Sequence, residues 1–228
     1  MKEEPLVMCL TNTVAADFTA NALLAVGAKP AMVEELSEAA ELASKADAVL
    51  VNLGTVHPRQ AEAMRAAIGA TGTVPWVLDP VACHLLTYRG KLAEEFVSRK
   101  PTLIRGNHAE IDYLMGTVPD KTVSVPVLST GEVDRIFLPS PSTSNLQPST
   151  LISGGVPMLR TVTATGCVQG AICAALLGRG LSPLAAAESA SRLMKRAGEI
   201  AWEKAKAPGS FKVALIDALY CLSKDDLL

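Results

Sequence analysis

The segment Thr161-Val162-Thr163-Ala164-Thr165-Gly166-Cys167 sets small residues and a glycine directly before the apolar stretch Val168 to Leu177. Small residues at a helix start let backbone N–H groups converge on an anion, and the helix dipole adds partial positive charge there. The segment therefore predicts a phosphate cradle without the lysine of a Walker loop. Cys167 falls in the first turn of that helix, where the dipole lowers a thiol pKa and makes thiolate more accessible near neutral pH. It is a candidate base for a substrate hydroxyl. Taken alone, the same run fits a purely structural turn, since small residues often precede helices. Three further segments carry polar or glycine-rich groups: Val51-Asn52-Leu53-Gly54-Thr55, Leu78-Asp79-Pro80-Val81, and Ile104-Arg105-Gly106-Asn107-His108-Ala109-Glu110.

Each of those three follows a short apolar run that reads as a strand: Ala48 to Leu53, Trp76 to Leu78 and Thr102 to Arg105. Leu6 to Leu10 and Ala31 to Val33 read likewise. Helical spacing appears over Ala15 to Ala25 (ending at Gly27), Glu35 to Lys45, Pro58 to Ile68, Gly90 to Val97 and Ala109 to Met115. Val123 to Leu128 and Arg135 to Leu138 read as strands able to pair antiparallel across Gly131. Pro139 to Pro148, rich in Ser and Pro, reads as a surface loop. The remainder is helical: Val168 to Leu177 closing at Gly178, a long helix capped by Ser182-Pro183 and reaching Lys204, and Val213 to Leu222. Strands alternating with helices imply right-handed crossovers, a mostly parallel sheet and ligands outside the carboxyl ends of its strands.

A chain of 228 residues suits one α/β domain over residues 1–228, and its composition, 49% hydrophobic but 4% aromatic, suits helices on both faces of a buried sheet. The net charge of −2, with Lys and Arg scattered, gives no footprint for nucleic acid or anionic membrane. A small ligand is expected. No apolar stretch reaches the roughly 20 residues of a spanning helix, and Met1-Lys2-Glu3-Glu4 lacks a signal-peptide layout, so a cytoplasmic location is expected. Cys9, Cys83, Cys173 and Cys221 read as small buried hydrophobes, none at C-x-x-C spacing. His57, His84 and His108 form no metal spacing and read as surface or loop residues.

Colinear segments carry a resemblance: Thr11-Asn12-Thr13-Val14, Phe18 through Met32, Ile104 through Glu110, Thr130-Gly131-Glu132-Val133-Asp134, Thr163 through Cys167 and Ala207 through Phe211. Together they resemble the hydroxyethylthiazole kinase family of the ribokinase-like superfamily. The resemblance implies a ribokinase-like three-layer α/β sandwich and transfer of the ATP γ-phosphate to the primary alcohol of 4-methyl-5-(2-hydroxyethyl)thiazole, a salvage step toward thiamine. It implies catalytic roles for Thr165, Gly166 and Cys167, where most of the superfamily carries aspartate at the last position. Arg105, Thr130 and Asn107 match positions around the ATP phosphates. Asp79 and Glu110 match the acidic groups near Mg²⁺, which accepts few protein ligands. Met32, Ala164 and Asn12 match the substrate pocket. The family's trimer, with active sites between subunits, implies a homotrimer.

The chain departs from the pattern in places. Ala82-Cys83-His84-Leu85-Leu86 replaces a glycine-rich continuation after Asp79-Pro80, which predicts a narrower phosphate site. Between Gly116 and Val123 it is shorter than the family, the loop Ser140 to Ser149 is longer, and the amino terminus begins late. Two other readings stay open: a related vitamin-salvage kinase such as a hydroxymethylpyrimidine kinase, against which Cys167 argues, and an impaired trimeric homologue that only binds ligand.

Overall fold

The structure is a computed structural model that describes residues 2–118, 124–139 and 147–224. Eight strands form one sheet in the order β2-β1-β3-β4-β5-β6-β7-β8. They are β1 Leu6–Leu10, β2 Lys29–Met32, β3 Ala48–Asn52, β4 Trp76–Asp79, β5 Leu103–Asn107, β6 Val127–Thr130, β7 Asp134–Phe137 and β8 Thr150–Ile152. Strands β1 to β6 pair parallel, whereas β7 and β8 pair antiparallel. The expected hairpin across Gly131 is therefore present.

Alternation along the parallel strands supplies two cores. Val7, Cys9, Leu50, Val77, Leu103 and Leu128 face one side, and Met8, Val49, Val51, Leu78, Ile104 and Val127 face the other. The first side is covered by α1 (Ala16–Ala25), α6 (Thr165–Gly178), α7 (Pro183–Lys204) and α8 (Pro208–Lys224). The second is covered by α2 (Leu36–Ala43), α3 (Pro58–Ala70), α4 (Thr87–Val97) and α5 (His108–Thr117). Helix α6 is buried from Cys167 through Leu177, which is why its sequence is apolar all round rather than striped.

Several boundaries differ from the sequence expectations. β8 lies where no strand was expected, because three residues at a sheet edge leave little periodic signal. Helix α8 begins at Pro208 rather than Val213, the proline serving as its first residue. β6 starts at Val127, and Val123 lies outside the described residues, as do 140–146 of the Ser- and Pro-rich loop. Cys221 is exposed on α8, whereas Cys9, Cys83, Cys167 and Cys173 are buried.

Candidate active site

Two residues beyond the buried Leu50, Val77, Leu103 and Leu128, the same alternation brings Asn52, Asp79, Arg105 and Thr130 to the α6 side of the sheet. They occupy or adjoin the carboxyl ends of β3 to β6, where registers place Asn52 beside Asp79 and Asn107 beside Thr130. The amino terminus of α6 crosses this end. Gly170 of α6 lies over Asp79, a β-carbon there falling 3.4 Å from Oδ2.

Asp79 is 0% exposed. Its Oδ2 accepts a hydrogen bond from Asn52 Nδ2 at 2.8 Å, while Oδ1 has no hydrogen-bond partner and faces Arg105 Nη1 at 3.7 Å. Burial raises the pKa of this carboxyl group; Glu110 adds to the rise, and Arg105 and Asn52 oppose it. Glu110 is differently placed. With Asn107 it forms a capping box at the start of α5: Asn107 Oδ1 accepts from Glu110 N at 2.9 Å, and Glu110 Oε2 accepts from Asn107 N at 2.8 Å. Its other oxygen accepts from Ala82 N at 2.8 Å. Both carboxylate oxygens are thus engaged by backbone amides.

Arg105 is buried, with Nη2 donating to Thr130 Oγ1 at 2.9 Å and to Gln169 Oε1 at 3.2 Å. Its guanidinium abuts Gly166, so that a fixed positive charge and the amides opening α6 converge. Ala164, the residue before α6, sits in the left-handed region at φ 68°. A left-handed residue against a right-handed helix start curls successive N–H groups toward one point, the geometry of an anion nest. Thr165 Oγ1 donates to Leu159 O at 2.9 Å and Val162 O at 3.3 Å, so its hydroxyl anchors this turn.

Arg105, Asn107, Thr130, Gly131, Thr165 and Gly166 line a cavity of about 280 Å³. A second cavity of about 520 Å³ adjoins it, sharing Gly131, Leu159, Arg160 and Lys195, and extends to Gly154 and Gly155. Neither is lined by any residue of Cys83 to Leu86; Leu85 and Leu86 are 71% and 48% exposed. Within that segment Leu85 and Leu86 turn outward, whereas Cys83 is buried and His84 half-buried.

Cys167 lies beyond the cavity wall, 9% exposed, with Asn12 Nδ2 at 3.9 Å from its sulfur. Asn12 is itself wired inward, donating to Asn52 Oδ1 at 2.9 Å and accepting from Ala15 N at 3.0 Å. A polar chain thus runs Cys167, Asn12, Asn52, Asp79. The expectation of a lowered thiol pKa is overturned: burial first, then the charge of Asp79, push it up to about 11, outweighing the opposing contacts from Asn52, Arg105 and Asn12. Cys167 is within reach of the dipole, but the dipole offers only a partial charge, whereas burial penalises the whole thiolate charge.

Met32 ends the edge strand β2, 38% exposed, and lines neither cavity. His57 caps α3, accepting from Gln60 N at 3.3 Å, and His108 Nδ1 is 2.8 Å from Ser129 Oγ with its ring against Gly131. Asn52 and Asp134 fall within segments the sequence singles out but carry no assigned role there, and Gln169 and Lys195 fall outside them. Asn52 offered a signal, since Gly54 two residues on leaves room for Asn12 that a β-carbon would fill. The others lie inside helices or a strand, where only the packed structure aims them at the site. Among the described residues no group of three His, Cys, Asp or Glu could by itself hold a metal, and no helix is long and apolar enough to cross a membrane.

The model of the hydroxyethylthiazole kinase family matches residues 1–123 and 117–225. A hydroxyethylthiazole kinase of Cronobacter sakazakii is 42% identical, covering 96% of this chain and 89% of that protein. One from Serratia proteamaculans is 39% identical over 250 positions, covering 99% and 92%, so it carries residues that these 228 lack. The solved hydroxyethylthiazole kinase of Pyrococcus horikoshii superposes with a TM-score of 0.85 at 34% identity over 96% of this chain and 88% of that one. A ribokinase-like superfamily protein of Enterococcus faecalis, 14% identical with a TM-score of 0.69 over 96% of this chain and 86% of that one, shares the fold.

Proposed function

This chain belongs to the hydroxyethylthiazole kinase family, and on that premise we propose that it phosphorylates the primary alcohol of 4-methyl-5-(2-hydroxyethyl)thiazole with ATP, in thiamine salvage. It is a phosphotransferase with a ribokinase-like three-layer fold. The observation that carries the site assignment is the convergence of the Arg105 guanidinium on Gly166 at the helix start, with Thr130 alongside. Two positive features in one volume suit a phosphate.

Phosphoryl transfer asks little covalent chemistry of a protein: it must align hydroxyl, phosphorus and leaving oxygen and stabilise the spreading charge. Arg105, Thr130 and the amides of Thr165 and Gly166 hold the phosphate chain, and Asn107 edges the same cavity. Cys167 receives the alcohol proton at Sγ, with Asn12 donating to that sulfur and so favouring the thiolate. Ala164 and the partly exposed Met32 serve the thiazole, Met32 through a neighbouring subunit of a homotrimer.

The residues present fit Mg²⁺. Asp79 Oδ1 is a buried carboxylate oxygen with no hydrogen-bond partner, and this cation takes one or two carboxylates beside substrate phosphates and waters. Asp79 would hold it directly, and Glu110, both oxygens engaged, through water. When bound, the ion neutralises charge on the β- and γ-phosphates. One kinase domain over residues 1–228, acting in the cytoplasm, completes the reading.

The test is ATP-dependent phosphate-ester formation across thiazole and pyrimidine alcohols, read by mass, with Mg²⁺ withheld as the control. Ester on the thiazole alcohol is the expected product. Ester on the pyrimidine alone, or on neither, overturns the reading.

A further inference from the structure

Lys195 is a charged residue in the middle of α7, yet its side chain is 9% exposed. Its ammonium reaches across to two separate turns. Nζ donates to Glu132 O at 3.0 Å and Gly131 O at 3.5 Å in the β6–β7 turn, and to Gly154 O at 3.1 Å in the turn after β8. Both turns line the larger cavity, and the Lys195 ammonium is bonded to each. Gly154 and Gly155 have φ of 103° and 81°, and a β-carbon on Gly155 would meet Lys195 Cγ at 3.2 Å, so the glycine turn lies directly on the lysine stem.

The charge is balanced by Asp134, 3.5 Å away and almost fully buried. Asp134 is itself the hub of a buried network: Oδ1 accepts from Gly131 N at 2.9 Å, and Oδ2 accepts from Ser191 Oγ at 2.5 Å and Gln169 Nε2 at 3.4 Å. Gln169 in turn accepts from Arg105. An unbroken run of polar contacts therefore connects the Lys195 ammonium to the arginine of the phosphate cradle. A lysine has three protons to donate, and the surrounding carbonyls and carboxylate take them up, while the residue also lines both cavities.

From this geometry we infer that Lys195, paired with Asp134, is a positioning residue for the nucleotide: a cross-tie that sets the spacing of the two turns and, through Gln169, the placement of Arg105. The inference rests on reading the two cavities as the ATP site. A tie of this kind acts on nucleotide affinity and leaves the alcohol pocket alone.

The experiment compares full-length wild type, Lys195→Met, Lys195→Arg and the double variant Lys195→Met/Asp134→Asn, which leaves no unpaired buried charge if the single change prevents folding. Calorimetric Kd for the non-hydrolysable analogue AMP-PNP and KM for ATP and for the alcohol are measured. Loss of the tie is expected to raise Kd and KM for the nucleotide roughly 10-fold, with KM for the alcohol within about twofold and part of the loss restored in Lys195→Arg. Unchanged nucleotide affinity in the methionine or double variant, or an equal rise in both KM values, overturns the inference. Wild type that binds AMP-PNP but phosphorylates no thiazole alcohol sinks the functional reading and leaves the cross-tie standing; wild type that binds no nucleotide ends both.

Discussion

Gly166 stands so near Arg105 that a β-carbon on it would lie 2.6 Å from Nη1 and 2.9 Å from Nη2. The absence of a side chain at the helix start is what admits the guanidinium to the anion nest. Gly166→Ala should therefore push Arg105 aside rather than unfold the chain, since the obstructing atoms end a flexible side chain. KM for ATP should rise about 10-fold or more with the melting temperature little changed. An unaltered KM would show that Arg105 does not need this position.

The thiol of Cys167, raised to about 11, is protonated through the neutral range. A base of that pKa becomes more available as pH rises, so kcat/KM should climb about tenfold per pH unit between roughly pH 7 and 10. Cys167→Asp should keep activity and move the rise to lower pH, because a carboxyl group in the same surroundings ionises several units below a thiol. Cys167→Ala should lower kcat by on the order of 10²-fold or more. A flat profile in wild type, or undiminished ADP release in Cys167→Ala, removes the proposed base.

Asp79 shows how function and stability diverge. Its folded-state pKa lies above the ordinary carboxylate value because of burial, so its favourable contribution is present at low pH and lost as pH rises through the folded value. Asp79→Asn removes that charge. The variant should melt a few degrees above wild type near pH 8, with the difference shrinking toward about pH 4, while phosphorylation falls by about 10²-fold or more. A variant that melts lower at pH 8 would show that Arg105 outweighs burial.

Ala164 holds φ 68° at the entry to α6. Left-handed backbone costs an L-residue about 1–2 kcal/mol and a β-branched one more. Ala164→Val should destabilise the fold by about 1–2 kcal/mol and weaken phosphate binding, because it disturbs the nest. Ala164→Gly should be neutral or mildly stabilising. Denaturant midpoints check both.

Much of the fold is legible in the chain because the signals are local. Strand and helix periodicities, Gly27 closing α1, Ser182-Pro183 opening α7 and the glycine before Cys167 all act within a few residues of themselves. Their order along the chain predicts a parallel sheet with its chemistry at the carboxyl ends, and Asp79, Arg105 and Thr130 are found there. Segments such as Ile104 through Glu110 also sufficed for the family.

Tertiary structure alone decided the state of those groups. A thiol's pKa depends on what surrounds it: Cys167 lies under the sheet end beside Asp79, distant in sequence, and burial reverses the direction that its place on the helix predicts. The Asn107 and Glu110 spacing fits both an acidic site and a capping box, and only the fold shows Glu110 bonded to Ala82 N. Lys195 reads from sequence as one lysine among the charged residues of a long helix; its aim at Gly131, Glu132 and Gly154 exists only once β6, β7 and β8 are in place. Burial and charge pairing are properties of three-dimensional neighbours, which local periodicity does not encode.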